Sequence, residues 1–172
     1  MKDILTFKTD EYSWLSNMAL VDVECDGIVY PSTENFYQAC KYNEVDTKKL
    51  ISQLNPYKAK WYSRENKMTN TNFDNDKLIY MEYALHKKFS QEPFKSKLLE
   101  TGDCHIEEGN WWKDKFWGVD IKTRQGENHL GKLIMKIRSS LYAKSFDDIL
   151  EVPLIGERIT TSGLENCSIW LN

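Results

Sequence analysis

Glu107-Glu108-Gly109-Asn110-Trp111-Trp112-Lys113-Asp114-Lys115-Phe116-Trp117-Gly118-Val119-Asp120, a polar loop, and Gly126-Glu127-Asn128-His129-Leu130-Gly131 run directly into Leu133, Ile134, Ile137 and Leu141. The apolar positions from Leu130 onward recur at three and four residues, the spacing of an amphipathic helix that buries one stripe. Before that helix, three tryptophans, spaced acids and glycines are crowded after a strand end, a poor composition for packing alone. Large π-faces suit a flat ring, glycine lets backbone approach a ligand, and carboxylates handle protons or a developing positive charge. The stretch therefore predicts half of a helical core and one wall of a site.

The other half of the core lies upstream. Residues 73–90 carry Leu78, Met81, Ala84, Leu85 and Phe89 at helical spacing, and shorter helices are expected over 46–54, from Asn55-Pro56 through Arg64, and over 93–100 before Gly102. Strands are few: residues 3–8, 103–107, and a hairpin in which residues 20–25 alternate, Asp26-Gly27 turns and Ile28-Val29-Tyr30 returns, with Pro31 ending it. This is an α+β pattern, predominantly helical, with a small antiparallel β element. From Ala143 onward the helical period is lost, so residues 1–142 are read as one domain and 143–172 as a C-terminal extension, packed on it or partly irregular.

A chain of 172 residues holds one core comfortably. The net charge of −3 argues against a broad basic nucleic-acid face and leaves room for a local phosphate pocket. Aromatic residues make up 13%, which calls for a thick core or a ring-binding surface. Cys25, Cys40, Cys104 and Cys167 form no CxxC pair, and His86, His105 and His129 have no paired ligand spacing, so no metal or other cofactor is expected. No apolar run reaches the roughly 20 residues of a membrane span, and the chain reads as cytoplasmic.

Ser32-Thr33-Glu34 supplies a helix start, the helix running to Tyr42. At 100° per residue Glu34, Gln38 and Lys41 fall on one narrow polar stripe opposite Phe36, Ala39 and Cys40. Such a stripe is either a solvated face or one wall of a site. Asn17, in the turn Trp14-Leu15-Ser16-Asn17-Met18, can bond a ligand or its own backbone. Lys58, Lys60 and Arg64 can hold a phosphate or form a wet surface, and Arg138 has the same choice. Gly126, Asn128 and Gly131 shape a loop and helix start whose N–H groups could meet a phosphate, while Trp111 and Trp112 read as packing residues.

Taken in order, Leu15-Ser16-Asn17, Asp26-Gly27, the run from Pro31-Ser32-Thr33-Glu34 to Gln38-Ala39-Cys40-Lys41, Met81 with Ala84-Leu85 and Lys88-Phe89, Leu99-Glu100-Thr101-Gly102-Asp103, Asp114 with Trp117-Gly118, and Gly126-Glu127-Asn128-His129-Leu130-Gly131 with Met135 and Arg138 resemble the NADAR family. The resemblance covers residues 4–142. It implies a compact, mostly helical α+β domain that hydrolyses N-glycosidic bonds of ribose derivatives. The substrates it implies are ADP-ribosylated nucleobases, including those within DNA, or phosphoribosylamino-pyrimidine intermediates of riboflavin synthesis. Carried over by position, Glu34 matches the family's catalytic Glu, Gln38 and Lys41 match polar residues further along its helix, Trp117-Gly118 match a Trp-Gly pair, and Asp120 most nearly matches an acid after it. Phe73 stands where a bacterial member has a functional Trp, which keeps a stacking face and loses an indole N–H.

Cleaving a ribose C1–N bond passes through an oxocarbenium-like state and needs a carboxylate near C1. The expectation is that Glu34 activates water or stabilises C1, with Asp120 or Asp114 orienting water or ribose, and that Asn17, Gln38, Arg64, Phe73, Trp117, Gly118 and Asn128 contact the substrate. In a second version the Lys41 amine attacks the sugar and forms an imine. A non-catalytic ADP-ribose or nucleotide binder is the rival from another class.

Overall fold

The computed structural model describes residues 2–146, and the expected extension from 147 onward lies outside the described residues. The chain is α+β and predominantly helical, with a small antiparallel hairpin, and it divides into two compact units.

The first unit takes residues 20–88. It opens with strands β1 (Leu20–Cys25) and β2 (Ile28–Ser32), paired antiparallel with Cys25 opposite Ile28 and Val23 opposite Tyr30. Val21, Val23 and Cys25 are buried while the residues between them are exposed, the period-two burial of a half-covered strand. Asp26 and Gly27 both hold positive φ, 53° and 70°, as the tight hairpin turn demands. Pro31 does not end β2 as expected but sits within it. In a two-stranded sheet every strand is an edge, so a missing N–H can face away from the ladder.

Helix α1 (Thr33–Ala39) follows at once, capped by Ser32, whose Oγ accepts the Asn35 N–H at 3.0 Å. All seven of its residues are buried, against the expectation that its polar stripe could simply face water. The Glu34, Asn35 and Gln38 side chains are each held by polar contacts. The Ser32 hydroxyl donates to Asn35 Oδ1 at 2.6 Å, and Asn35 Nδ2 donates at 2.8 Å to the carbonyls of Ile51 and Leu54. These last two carbonyls belong to α2 (Val45–Ser52) and the bend after it. Asn35→Ala leaves that set of buried groups unpaired and is expected to lower unfolding free energy by about 2–4 kcal/mol, measured by urea denaturation.

The helix stops at Ala39 instead of Tyr42. The Lys41 carbonyl accepts the N–H groups of Thr69 and Asn70, at 3.1 and 2.9 Å, and Asn70 Nδ2 donates to the Cys40 carbonyl at 2.8 Å, so the polar loop 66–72 takes the acceptors that another turn would use. Helix α3 (Pro56–Glu65) starts as Pro at its first turn and Asn55 as its cap predict. Helix α4 (Phe73–Phe89) buries Met81, Ala84 and Leu85 on the expected stripe. Lys88, near its end, is wholly buried, and burial pushes its amine down to about 7.

The second unit joins residues 2–19 to the chain from Phe89 onward. It holds α5 (Phe94–Glu100), the two-residue strands β3 (Gly109–Asn110) and β4 (Val119–Asp120), and α6 (His129–Phe146). The strands expected over 3–8 and 103–107 reduce to one parallel bridge, Ile4 to Ile106, because only Ile4 exchanges backbone bonds there, with His105 and Glu107. In their place β3 and β4 pair in parallel, a contact between the ends of one loop that no periodicity announced. Ile4, Phe7, Leu15, Phe89, Leu98, Ile106, Leu130, Ile134 and Ile137 form the buried apolar set. Arg138 is buried too and donates to Thr101 Oγ1 at 2.8 Å and to the Cys104 carbonyl at 2.9 Å, fastening α6 to the turn after α5. Trp111 and Trp112 are not packing residues: they are 58% and 51% exposed. No helix among the described residues is long and apolar enough to cross a membrane.

Candidate functional site

Because α1 is fixed at its start by Ser32 and along its side by Asn35, Glu34 has a defined direction. Its carboxylate is buried, Glu34 being 5% exposed, and it has one neutral and one charged partner. Gln38 Nε2 donates to Glu34 Oε1 at 2.8 Å, one helical turn on, and Lys60 Nζ of α3 stands 3.7 Å from the same oxygen. The Gln38 amide is oriented by this contact, since a reversed amide would set its oxygen against a carboxylate oxygen. Gln38 Oε1 is then left buried with no hydrogen-bond partner among the described residues. A buried acceptor without a partner costs about 1–3 kcal/mol, so it is a feature that calls for a donor from outside the chain.

Lys41 lies just past the end of α1, its backbone clamped by the loop 66–72 as described above. Its Nζ stands 5.5 Å from the ring centroid of Phe73 and 6.0 Å from that of Tyr37. Phe73 is itself packed at 5.2 Å against Tyr37 and stacked at 5.9 Å on Tyr80. Burial in this setting pushes the Lys41 amine below its ordinary value; Glu34 and Asp74 pull it back up, and the cations Lys60 and Arg64 push it further down. A carboxylate, an amine that gives up its proton more readily than usual, an orphaned acceptor and aromatic rings thus lie along one side of α1 and just past its end.

Sequence spacing puts Glu34, Gln38 and Lys41 on one stripe and the family resemblance adds Phe73; the structure brings these four together. Arg64 is exposed on α3 and reaches them through its charge. Tyr37 and Tyr80 were missed as members, and Lys60 was read only as a phosphate or surface residue and not as a partner of Glu34. For Tyr37 the signal was available, an aromatic ring one turn before Lys41, while Lys60 and Tyr80 come from other helices and only the fold assigns them.

The remaining candidates belong to the other unit. Asp120 Oδ1 accepts the N–H groups of Lys122 and Thr123 at 2.9 and 2.8 Å, and the Thr123 N–H foremost holds this carboxyl below its ordinary value. Asp114 Oδ1 likewise accepts from Phe116 and Trp117, at 3.1 and 2.9 Å. Each acid therefore braces the loop that follows it. Trp117 is half-buried and edge-on to Phe116 at 5.0 Å. At Gly118 a Cβ would lie 2.1 Å from the Glu108 carbonyl oxygen, so only glycine fits that approach. Asn128 spends its side chain on the Glu108 N–H at 3.1 Å and the Ile106 carbonyl at 2.9 Å. Asn17 is half-buried in the turn after the short 3₁₀ helix Ser13–Leu15.

Four N–H groups leading into α6, where a phosphate contact was expected, are already engaged by the preceding loop. Those of Glu127, Asn128, His129 and Leu130 bond the carbonyls of Lys115, Gly118, Phe116 and Trp117. For Asp120 the bracing geometry carries an expectation. Asp120→Asn retains an acceptor for both loop N–H groups and should hold kcat within roughly threefold, whereas Asp120→Ala should lower the thermal midpoint. A loss of about 100-fold in the Asn variant, in a protein of unchanged midpoint, would instead make the charge chemical.

The NADAR domain model matches residues 6–142. The chain is 30% identical over 136 residues to the N-glycosidase YbiA of Escherichia coli strain K12, covering 77% of this chain and 84% of that protein. It is 31% identical over 142 residues to the riboflavin biosynthesis protein VVA0006 of Vibrio vulnificus, covering 80% of this chain but only 38% of that longer protein. Among solved structures, the NMR structure of E. coli YbiA superposes with a TM-score of 0.73 at 27% identity, over 86% of this chain and 90% of that one. The relatives named N-glycosidases are hydrolases of N-glycosyl bonds. With the family model spanning most of its length and a YbiA-like fold around α1, the chain belongs to the NADAR family.

Proposed function

We propose that this chain is an N-glycosidase that hydrolyses the ribose C1–N bond of an ADP-ribosylated nucleobase. The observation that carries the reading is the buried Glu34 carboxylate held between Gln38 and Lys60, with the Lys41 amine and the Phe73 ring beside it. A carboxylate withdrawn from water stabilises a neighbouring oxocarbenium-like carbon far better than an exposed one, and it can take a proton from an attacking water. The unpartnered Gln38 Oε1 accepts a ribose hydroxyl. Lys60 and Arg64 supply positive charge for a diphosphate, and the aromatic rings supply a face for a base.

A second chemical route is favoured by the lowered amine of Lys41. Neutral Lys41 Nζ attacks C1 as the C1–N bond to the base breaks, the Glu34 carboxylate takes the proton that Nζ sheds on bonding to C1, and it passes that proton to the departing base. Opening of the C1–O bond of the ring then gives an imine between Nζ and C1. Water adds to that imine, and its collapse releases the ribose aldehyde and returns the amine. Asp114 and Asp120 are read here as loop braces in either route.

Phosphoribosylamino-pyrimidines are the alternative substrates, supported by the relative named as a riboflavin biosynthesis protein. The test is to incubate pure protein separately with ADP-ribosylated oligonucleotide, ADP-ribosyl nucleoside and phosphoribosylamino-pyrimidine and to identify released bases by mass spectrometry. Release from the first two supports the proposal, release only from the third replaces its substrate, and release from none would leave a ligand-binding module.

A further inference from the structure

Helix α3 turns one edge toward Glu34 and presents a second, unlike face to solvent. Pro56 and Ala59 are buried, whereas Tyr57 is 70% and Trp61 is 61% exposed. On a helical projection from Pro56, Lys60 falls at about 40°, Arg64 at about 80°, Tyr57 at about 100° and Trp61 at about 140°, a continuous band. Its inner edge is Lys60, the ion partner of the buried Glu34, and its next member is Arg64, whose charge is felt at Lys41. The outer edge is two aromatic rings one turn apart. Beyond Trp61 come Glu65, the helix's one acid, at about 180° and Lys58 at about 200°.

Protein interfaces favour Tyr, Trp and Arg but are depleted of Lys, and this band carries Lys60 with Lys58 on the same helix. The band suits a single-stranded polynucleotide, whose phosphates need spaced cations and whose unpaired bases need ring faces to stack on. The low net charge of the chain is no objection, because the cations required are local to one helix.

We propose that the Tyr57–Trp61 face of α3 is the binding surface for the single-stranded nucleic-acid segment flanking the modified base. The inference rests on the nucleobase reading of the site at α1 and extends it: the substrate is carried within a polynucleotide, and α3 holds the neighbouring nucleotides. A duplex, with its bases paired inward, has no ring faces to offer this surface.

The test does not depend on turnover. Fluorescence anisotropy is measured with an unmodified, dye-labelled single-stranded 12-nucleotide DNA, its RNA counterpart and the duplex form, against the full chain and its Trp61→Ala, Tyr57→Ala and Arg64→Gln variants. The single strands are expected to bind at least tenfold more tightly than the duplex. Each aromatic truncation should weaken binding roughly 5- to 100-fold, and Arg64→Gln should reduce the log–log salt slope by roughly 0.7. Tyr57 and Trp61 are exposed, so the truncations should leave the circular dichroism spectrum and thermal midpoint unaltered, and a variant that loses either is replaced by Trp61→Gln. Equal binding of duplex and single strand, absence of binding, or indifference to both aromatic truncations overturns the proposal.

Turnover is a separate arm: the preference for an ADP-ribosylated oligonucleotide over the corresponding mononucleoside should fall at least fivefold in Trp61→Ala. If the single strand binds through Trp61 while no base is released from either substrate, the surface stands and the catalytic reading fails. If both substrates are cleaved with no effect of Trp61, the catalytic reading stands and the surface fails.

Discussion

Glu34→Gln is expected to abolish base release, lowering kcat by about 10²–10⁴-fold with a much smaller change in KM. The substitution is nearly isosteric. Glutamine at this position keeps an acceptor for Gln38 Nε2 and remains within the same buried volume, so the fold of α1, fixed by Ser32 and Asn35, has no reason to change. What is lost is the negative charge. A neutral amide can neither take a proton from water nor offset the positive charge that gathers on C1 as the base departs, whereas it can still fill the space around bound substrate. The loss therefore falls on the transition state, and kcat and kcat/KM should decline together. Lys60 loses its ion partner, but it is partly exposed and is re-solvated at little cost. Initial rates by chromatography of the released base, with a thermal melt of the variant, check the expectation. Turnover within a few-fold of wild type in a folded variant would remove Glu34 from the chemistry.

The residues at the end of α1 also show where a linear sequence stops being informative. The hairpin, the capped start of α1 and the apolar stripes of α4 and α6 were legible because each depends on neighbours within a few residues: a positive-φ pair, a Ser three before an N–H, a period of 3.6. The burial of the Glu34–Gln38–Lys41 stripe was not, since a polar stripe at helical spacing has the same pattern whether water or a protein wall faces it. Deciding between them required Lys60, from a helix two elements further on, and the loop 66–72, which ends the helix by taking the Cys40 and Lys41 carbonyls. Composition misled in a similar way at Trp111 and Trp112. Large apolar residues are usually inside, yet a short loop braced at Asp114 and Asn110 has no volume to hold them. At the start of α6 the N–H groups of Glu127, Asn128, His129 and Leu130 are taken by carbonyls of the preceding loop, contacts that no spacing rule encodes.

Lys41→Arg is the second substitution with a large expected effect, and it separates the two chemical routes. Arginine keeps the cation beside Phe73 and Tyr37 but cannot form an imine. If the amine attacks C1, kcat falls by about 10²-fold or more, and borohydride added during turnover attaches the reduced sugar to the peptide containing Lys41 in the wild type alone. The pH profile gives an independent readout. Only the neutral amine is a nucleophile, so the rate rises with pH as Nζ loses its proton. Because burial foremost, with help from Lys60 and Arg64, holds that proton less tightly than in a free lysine, the rise should come at lower pH than the ordinary value of 10.5 would give. Removing a neighbouring cation with Lys60→Gln strengthens the hold of Nζ on its proton and should move the alkaline limb upward. The stability consequence has the same origin. A lysine whose amine is depressed by folding binds its proton more weakly folded than unfolded, so the penalty is present at low pH and relieved as pH rises through the depressed value toward 10.5. Wild-type unfolding free energy should therefore gain a component across that window which Lys41→Met lacks. A wild type that yields no borohydride adduct, with Lys41→Arg retaining turnover, would eliminate the imine and leave water activated by Glu34 as the attacking group.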